Sequence, residues 1–230
     1  MEEHELVANH TVISVVVGSH AYGLNIDESD VDRRGVYCPP TSMFWGFDKP
    51  PSTVDGPGLE RVSWELEHFC VLALRANPTV LEVLASRLVE TCTPLGDELR
   101  AQLPALLSQR AADSYRRATA HEFARAAAAM ASGGTPRWTQ VMHVLRLLTL
   151  CERLLRTGEL VLEVGDHRDQ LLAVKAGDVP WPHVERWVEE LRDRTAGAVL
   201  RSPLPVAPDT TKVEQWLISV RRRSALGQPR

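Results

Sequence analysis

The chain has 230 residues, 44% hydrophobic and 24% charged, with a formal charge of −4 at pH 7. That length can bury a sizeable core as one large or two small domains, and no apolar run approaches the roughly twenty residues of a membrane span. The acidic balance argues against generic nucleic-acid binding, which shows a basic footprint, while local arginine clusters leave a local RNA site open.

The acidic start MEEHELVANH does not read as a secretion signal. Cys38, Cys70, Cys92 and Cys151 stand far apart without a CxxC pair, so the expectation is buried, reduced thiols in a cytoplasmic protein with no membrane partner. Thr11 to Val17 is a β-branched run suited to a buried strand. Gly18-Ser19 ends it, and Ser29-Asp30-Val31-Asp32 opens a second expected strand towards Tyr37. Side chains alternate across a strand, so Asp30 and Asp32 project to one face and Val31 to the other. Two carboxylates that close repel unless a cation sits between them, and a hard divalent ion with oxygen ligands, Mg²⁺ first, meets that need. Gly18 lets the backbone approach a ligand, and N–H groups at a strand-to-helix turn can hold phosphate oxygens.

The string GSHAYGLNIDESDVDRRGVY resembles the nucleotidyltransferases of the DNA polymerase beta superfamily. In particular it is similar to the branch called RNA-ligase-associated polymerases, whose pattern GSxAYGxxxxxSDxDxRGV it matches from Gly18 to Val36 without a gap. The resemblance implies a polymerase-beta-like α/β (α+β) fold, a mixed sheet with helices followed by an all-helical domain. It also implies transfer of an NMP from an NTP, ATP among the candidates, with release of pyrophosphate. Asp30 and Asp32 would bind two Mg²⁺ ions, with Mn²⁺ an acceptable substitute, and Gly18 and Ser19 would hold the β- and γ-phosphates.

Cys38 to Gly58 is rich in Pro and Gly and reads as loop or edge structure, a candidate flap. In it, Trp45 and Phe47 either stack on a nucleobase or pack onto the sheet edge. Leu59 to Glu65 alternates as a third strand, with Glu60, Val62 and Trp64 on one face. Counting back from Glu65-Leu-Glu-His-Phe69, which matches the family's Glu-Leu-x-x-Phe, the third carboxylate of the resemblance falls on Glu60 where the family has Asp. Glu65 competes for that role, or is an acid in a helix's first turn.

From Leu66 the spacing becomes helical, and Asn77-Pro78 breaks it and starts a new helix. NPTVLEVL is similar to the family's NPxxLExL, with Glu82 either a surface gap or a buried partner to an arginine. Leu95 to Leu107, Ala111 to Met130 and Trp138 to Arg156 read as helices, with Ser132-Gly-Gly-Thr-Pro136 as a seam. His143 and Arg146 share a face of the last of these, so both can point at one ligand. They match the family's KxxxHxxRLL, except that Thr139 stands where it has lysine, leaving Arg137 to substitute or the substrate one cation short. Arg34 joins them as a candidate for neutralising phosphates. Later strings resemble the family's RTGE and LLxIRxG, with Lys175 in place of arginine. Val184 to Leu200 reads as an amphipathic helix, Ser202 to Pro208 as a stiff linker, and Arg221-Arg-Arg223 by itself as a solvated helix end.

The expected division is a nucleotidyltransferase head over residues 1–92 and a helical domain over 93–230, with the active site between them. An RNA 3′ end, as in RNA repair, is the leading candidate acceptor. A protein or small-molecule acceptor, or an antitoxin-like protein-binding module on the same fold, is the alternative.

Overall fold

The computed structural model describes residues 2–56 and 61–227. Helix α1 (Glu3–His10) leads into strand β1 (Thr11–Val16), whose Ile13 and Val15 are fully buried, as a β-branched run at the centre of a sheet should be. A five-residue helix, α2 (Gly18–Tyr22), and a loop separate it from β2 (Arg33–Tyr37). A 3-10 turn (Thr41–Phe44), β3 (Thr53–Asp55) and β4 (Arg61–Glu65) follow, then α3 (Leu66–Leu74), α4 (Pro78–Ala85) and β5 (Val89–Cys92). Among the described residues the sheet runs β3-β4-β2-β1-β5. It is mixed: β2 and β4 are parallel, and the other neighbours are antiparallel.

Register fixes the two ends of this sheet. Val16 faces Arg33 and Arg33 faces Arg61 at one end; Thr11 faces Tyr37 and Tyr37 faces Glu65 at the other. Four residues of strand separate the ends, about 13 Å. At the Tyr37 end, Leu6, Val7, Tyr37 and Val54 form one buried cluster with Met43 against it. Trp45 and Phe47 do not pack there: they are 70% and 104% exposed. Strand β5 departs from the helical reading of the chain after Leu66. Its residues Val89, Glu90 and Thr91 are exposed on an edge, so no buried alternation marks it in the sequence.

The rest is helical: α5 (Pro94–Arg100), α6 (Leu103–Leu106), α7 (Arg110–Ala131), α8 (Trp138–Thr157), a 3-10 turn (Gly165–His167), α9 (Arg168–Ala176), α10 (Trp181–Val199) and α11 (Thr210–Ala225). Two compact units are interleaved along the chain, in place of a single boundary after residue 92. One comprises Met1–Arg75, Thr79–Leu106 and Pro208–Arg230; the other comprises Ala76–Pro78 and Leu107–Ala207. In the second, α8 packs against α7, α9 and α10 through a long apolar face that includes Leu145, Leu148, Cys151 and Leu154.

Charged groups return α11 to the first unit. Arg221 donates to Glu65 at 2.5 Å and lies 4.2 Å over the Phe44 ring. Arg223 donates to both oxygens of Glu98 at 2.7 and 2.6 Å, and Trp216 Nε1 donates to the same carboxylate at 2.9 Å. Arg221 and Arg223 therefore anchor the helix, while Arg222 between them is exposed as a solvated helix end would be. The bonds from Arg223, more than burial opposes, hold the Glu98 carboxyl below its ordinary 4.5. A depressed folded pKa stabilises above the unfolded value, and the contribution is lost as pH falls through the folded one. Glu98→Gln is therefore expected to lose stability at pH 7, with the gap to the parent protein narrowing below about pH 4.5, as read by urea unfolding at both pH values.

Candidate active site

Strand β1 ends where the chain must turn, and its last residues are fastened on both sides. Val16 N–H donates to Leu88 O at 2.8 Å, the Ser86 hydroxyl donates to Val16 O at 2.6 Å, and Val17 N–H donates to Asp32 O at 2.9 Å. The next residue, Gly18, has φ +70°, a left-handed backbone that a side chain disfavours. A Cβ there would overlap the Asp32 carboxylate oxygen and come within 3.2 Å of its Cβ and Cγ. Glycine is thus what lets the Asp32 carboxylate lie directly against the turn that carries Ser19.

The loop to β2 is tied to α2. The His20 imidazole bonds Ser29 O at 3.2 Å, Ser29 N–H donates to Ile26 O, and Ile26 N–H donates to the Ser29 hydroxyl, both at 2.9 Å. The second strand begins at Arg33, later than the expected opening at Ser29, because its partner β1 stops at Val16 and the chain turns at Gly18. Asp30 is exposed and Asp32 half-buried on the approach to it. Arg34 approaches Asp32 Oδ1 at 3.7 Å, while its neighbour Arg33 reaches across to Glu90 at 2.9 Å. The structure therefore gathers Gly18, Ser19, Asp32 and Arg34 at one sheet end, with Asp30 two residues before Asp32.

Glu65 has a different setting. It lies at the opposite end of β4, 4% exposed, and its carboxylate accepts from the N–H groups of Glu67 at 2.8 Å and His68 at 3.2 Å, capping α3. With Arg221 on its other oxygen it is a buried structural acid. Glu60 lies outside the described residues, as do Pro57 and Gly58 of the expected flap and Leu59 at the start of the expected third strand. Glu82 is buried, and the Tyr22 hydroxyl donates to it at 2.5 Å, which fastens the end of α2 to α4. His143 and Arg146 are on α8 of the second unit, the first half-buried and the second 5% exposed.

Among the described residues no three His, Cys, Asp or Glu side chains gather around one point. The acids that lead into β2, Asp30 and Asp32, offer oxygen donors that suit a hard cation, with the Asp32 carboxylate set against the Gly18 Cα and Arg34 at 3.7 Å from it. The thiols are poor ligands by comparison. All four cysteines are free, and burial pushes Cys70 and Cys151 up to about 12.

A mixed sheet whose central hairpin sets an aspartate against a Gly-Ser turn, with helices following, is the architecture of a polymerase-beta-like nucleotidyltransferase. The chain belongs to the RNA repair pathway DNA polymerase beta family, whose model matches residues 1–219. Mg²⁺-dependent transfer of a nucleoside monophosphate is the general chemistry of nucleotidyltransferases of this family. The chain is also similar to the uncharacterized protein YcgL of Bacillus subtilis (strain 168), 31% identical over 81 residues. That match covers 34% of this chain and only 31% of the relative. A nucleotidyltransferase-like protein from Exiguobacterium sibiricum 255-15, solved by crystallography, aligns over 96% of this chain and 73% of its own at 13% identity, with a TM-score of 0.30 that carries no argument. No helix among the described residues is long and apolar enough to cross a membrane.

The Gly18 contact makes a direct prediction. Gly18→Ala is expected to cost about 1–2 kcal/mol from the left-handed backbone, and to slow transfer about a hundredfold by displacing Asp32. Thermal melts and single-turnover rates read the two effects separately; an unchanged rate in the folded variant would remove Gly18 from the site.

Proposed function

We propose that this enzyme transfers an NMP from an NTP to the 3′-hydroxyl of an RNA in the cytoplasm, with ATP as one of the nucleotides to be tested. The observation that carries the reading is the Asp32 carboxylate lying against Gly18 at the Gly-Ser turn, with Asp30 two residues before it. In the reaction the acceptor oxygen bonds to the α-phosphorus, the bond from that phosphorus to the β-bridging oxygen breaks, and pyrophosphate carries away the electron pair. The turn at Gly18 and Ser19 holds the β- and γ-phosphates, and Arg34 adds a cation beside them. Glu60, which precedes the first residue of β4, takes the proton from the attacking hydroxyl. Asp30, Asp32 and Glu60 would hold two Mg²⁺ ions, or Mn²⁺ in their place, which supply charge neutralisation at the attacking and leaving oxygens. His143 and Arg146 keep the phosphate-binding roles that the family pattern gives them.

A transfer assay with each α-³²P-labelled NTP and Mg²⁺, against RNAs ending in 3′-hydroxyl or 3′-phosphate, tests this reading. Label on the 3′-hydroxyl RNA alone is the expected result. Label on protein in a reaction lacking RNA would transfer the proposal to a protein acceptor.

A further inference from the structure

Two stripes of the second unit line one groove. His167, Gln170 and Ala173 follow one another at three-residue steps into α9, and Trp187, Glu190 and Arg194 follow at three and four along α10, with Val179 from the connection between the helices. The groove is open to solvent and has a volume of about 480 Å³. Its aromatic wall is the Trp187 indole with the His167 imidazole 6.5 Å away at 45°. The polar groups are an amide, a carboxylate and a guanidinium, which together offer donors and acceptors that can meet the edge of a flat heterocycle.

The geometry points to a nucleobase subsite for single-stranded RNA, and this inference rests on the RNA acceptor reading above. A base stacks on Trp187, its edge meets Glu190 and Gln170, and Arg194 takes a phosphate. A carboxylate accepts from the exocyclic amine of cytosine and has no such donor on uracil, so the subsite favours cytosine over uracil. The unit that holds the groove lacks the acidic excess of the rest of the chain. Residues 107–207 carry 14 Lys and Arg against 12 Asp and Glu, whereas the rest of the chain carries 12 against 18.

The test is fluorescence anisotropy of the full chain with 5′-fluorescein-labelled C8 and U8 RNA, without NTP. Trp187→Ala is expected to weaken C8 binding about tenfold, Trp187→Phe to restore most of it, and Glu190→Gln to reduce the preference for C8 over U8. Circular dichroism establishes that each variant is folded. Equal C8 affinity of folded Trp187→Ala and the parent protein, or no binding of either RNA by the parent, overturns the subsite, even where the transfer assay labels RNA. Trp187-dependent binding together with no label on any RNA supports the subsite and overturns the acceptor reading instead.

Discussion

Asp30→Ala and Asp32→Ala are each expected to lower nucleotidyl transfer at least about a thousandfold, with little change in stability. The asymmetry follows from where the carboxylates lie. Asp30 is exposed, so its removal costs within about 0.5 kcal/mol. Asp32 has Arg34 at 3.7 Å and a side chain 40% exposed, an ion pair worth about 0–1 kcal/mol. Neither acid supports the fold, and two like charges on one approach to a strand are a cost the site accepts for chemistry. Asp32→Asn, which keeps the shape against Gly18, should be nearly as inactive as Asp32→Ala, because charge and not bulk is what the phosphates and their counterions require. Single-turnover transfer and thermal melts on the same preparations check both halves. Retained activity in a folded Asp30→Ala/Asp32→Ala protein would sink the mechanism.

The front of this chain was readable because its information is local. The turn at Gly18 and the buried run before it act over a few residues, and the resemblance carried by the string from Gly18 implies the mixed sheet and the following helices; Asp30 and Asp32 precede β2, which begins at Arg33, instead of alternating along it. What escaped was long-range. Strand β5 is short, and an exposed edge carries no alternation. Nothing near Arg221 in sequence announces Glu65, 156 residues away, so an anchor read as a solvated helix end, and α11 was expected with the helices before it. Glu82 was open between surface and burial, because a glutamate in an apolar stripe has the same spacing in both cases; its contact with Tyr22 exists only once α2 and α4 meet.

The two glutamates around β4 separate structure from chemistry. Glu65→Gln is expected to destabilise by about 2–3 kcal/mol, since it leaves the Arg221 guanidinium, 17% exposed, with the exposed Glu67 carboxylate at 3.6 Å as its remaining charged neighbour; Glu65→Ala adds about 1 kcal/mol by removing the cap on α3. Burial and the Glu65 charge also hold the Tyr37 hydroxyl protonated well above its ordinary range, so neutralising Glu65 should bring the tyrosine down. The folded Glu65→Gln protein, assayed at low temperature, is expected to transfer within about threefold of the parent rate, because its carboxylate lies about 13 Å of strand from the Asp32 end. Glu60→Gln is expected to lose at least about a thousandfold, as the proposal gives that carboxylate the acceptor's proton. Melting curves and transfer rates on the two variants therefore move in opposite columns. A folded Glu65→Gln protein without activity beside an active Glu60→Gln would reverse the assignment, and would require the sheet to present its acids from the end where α3 begins.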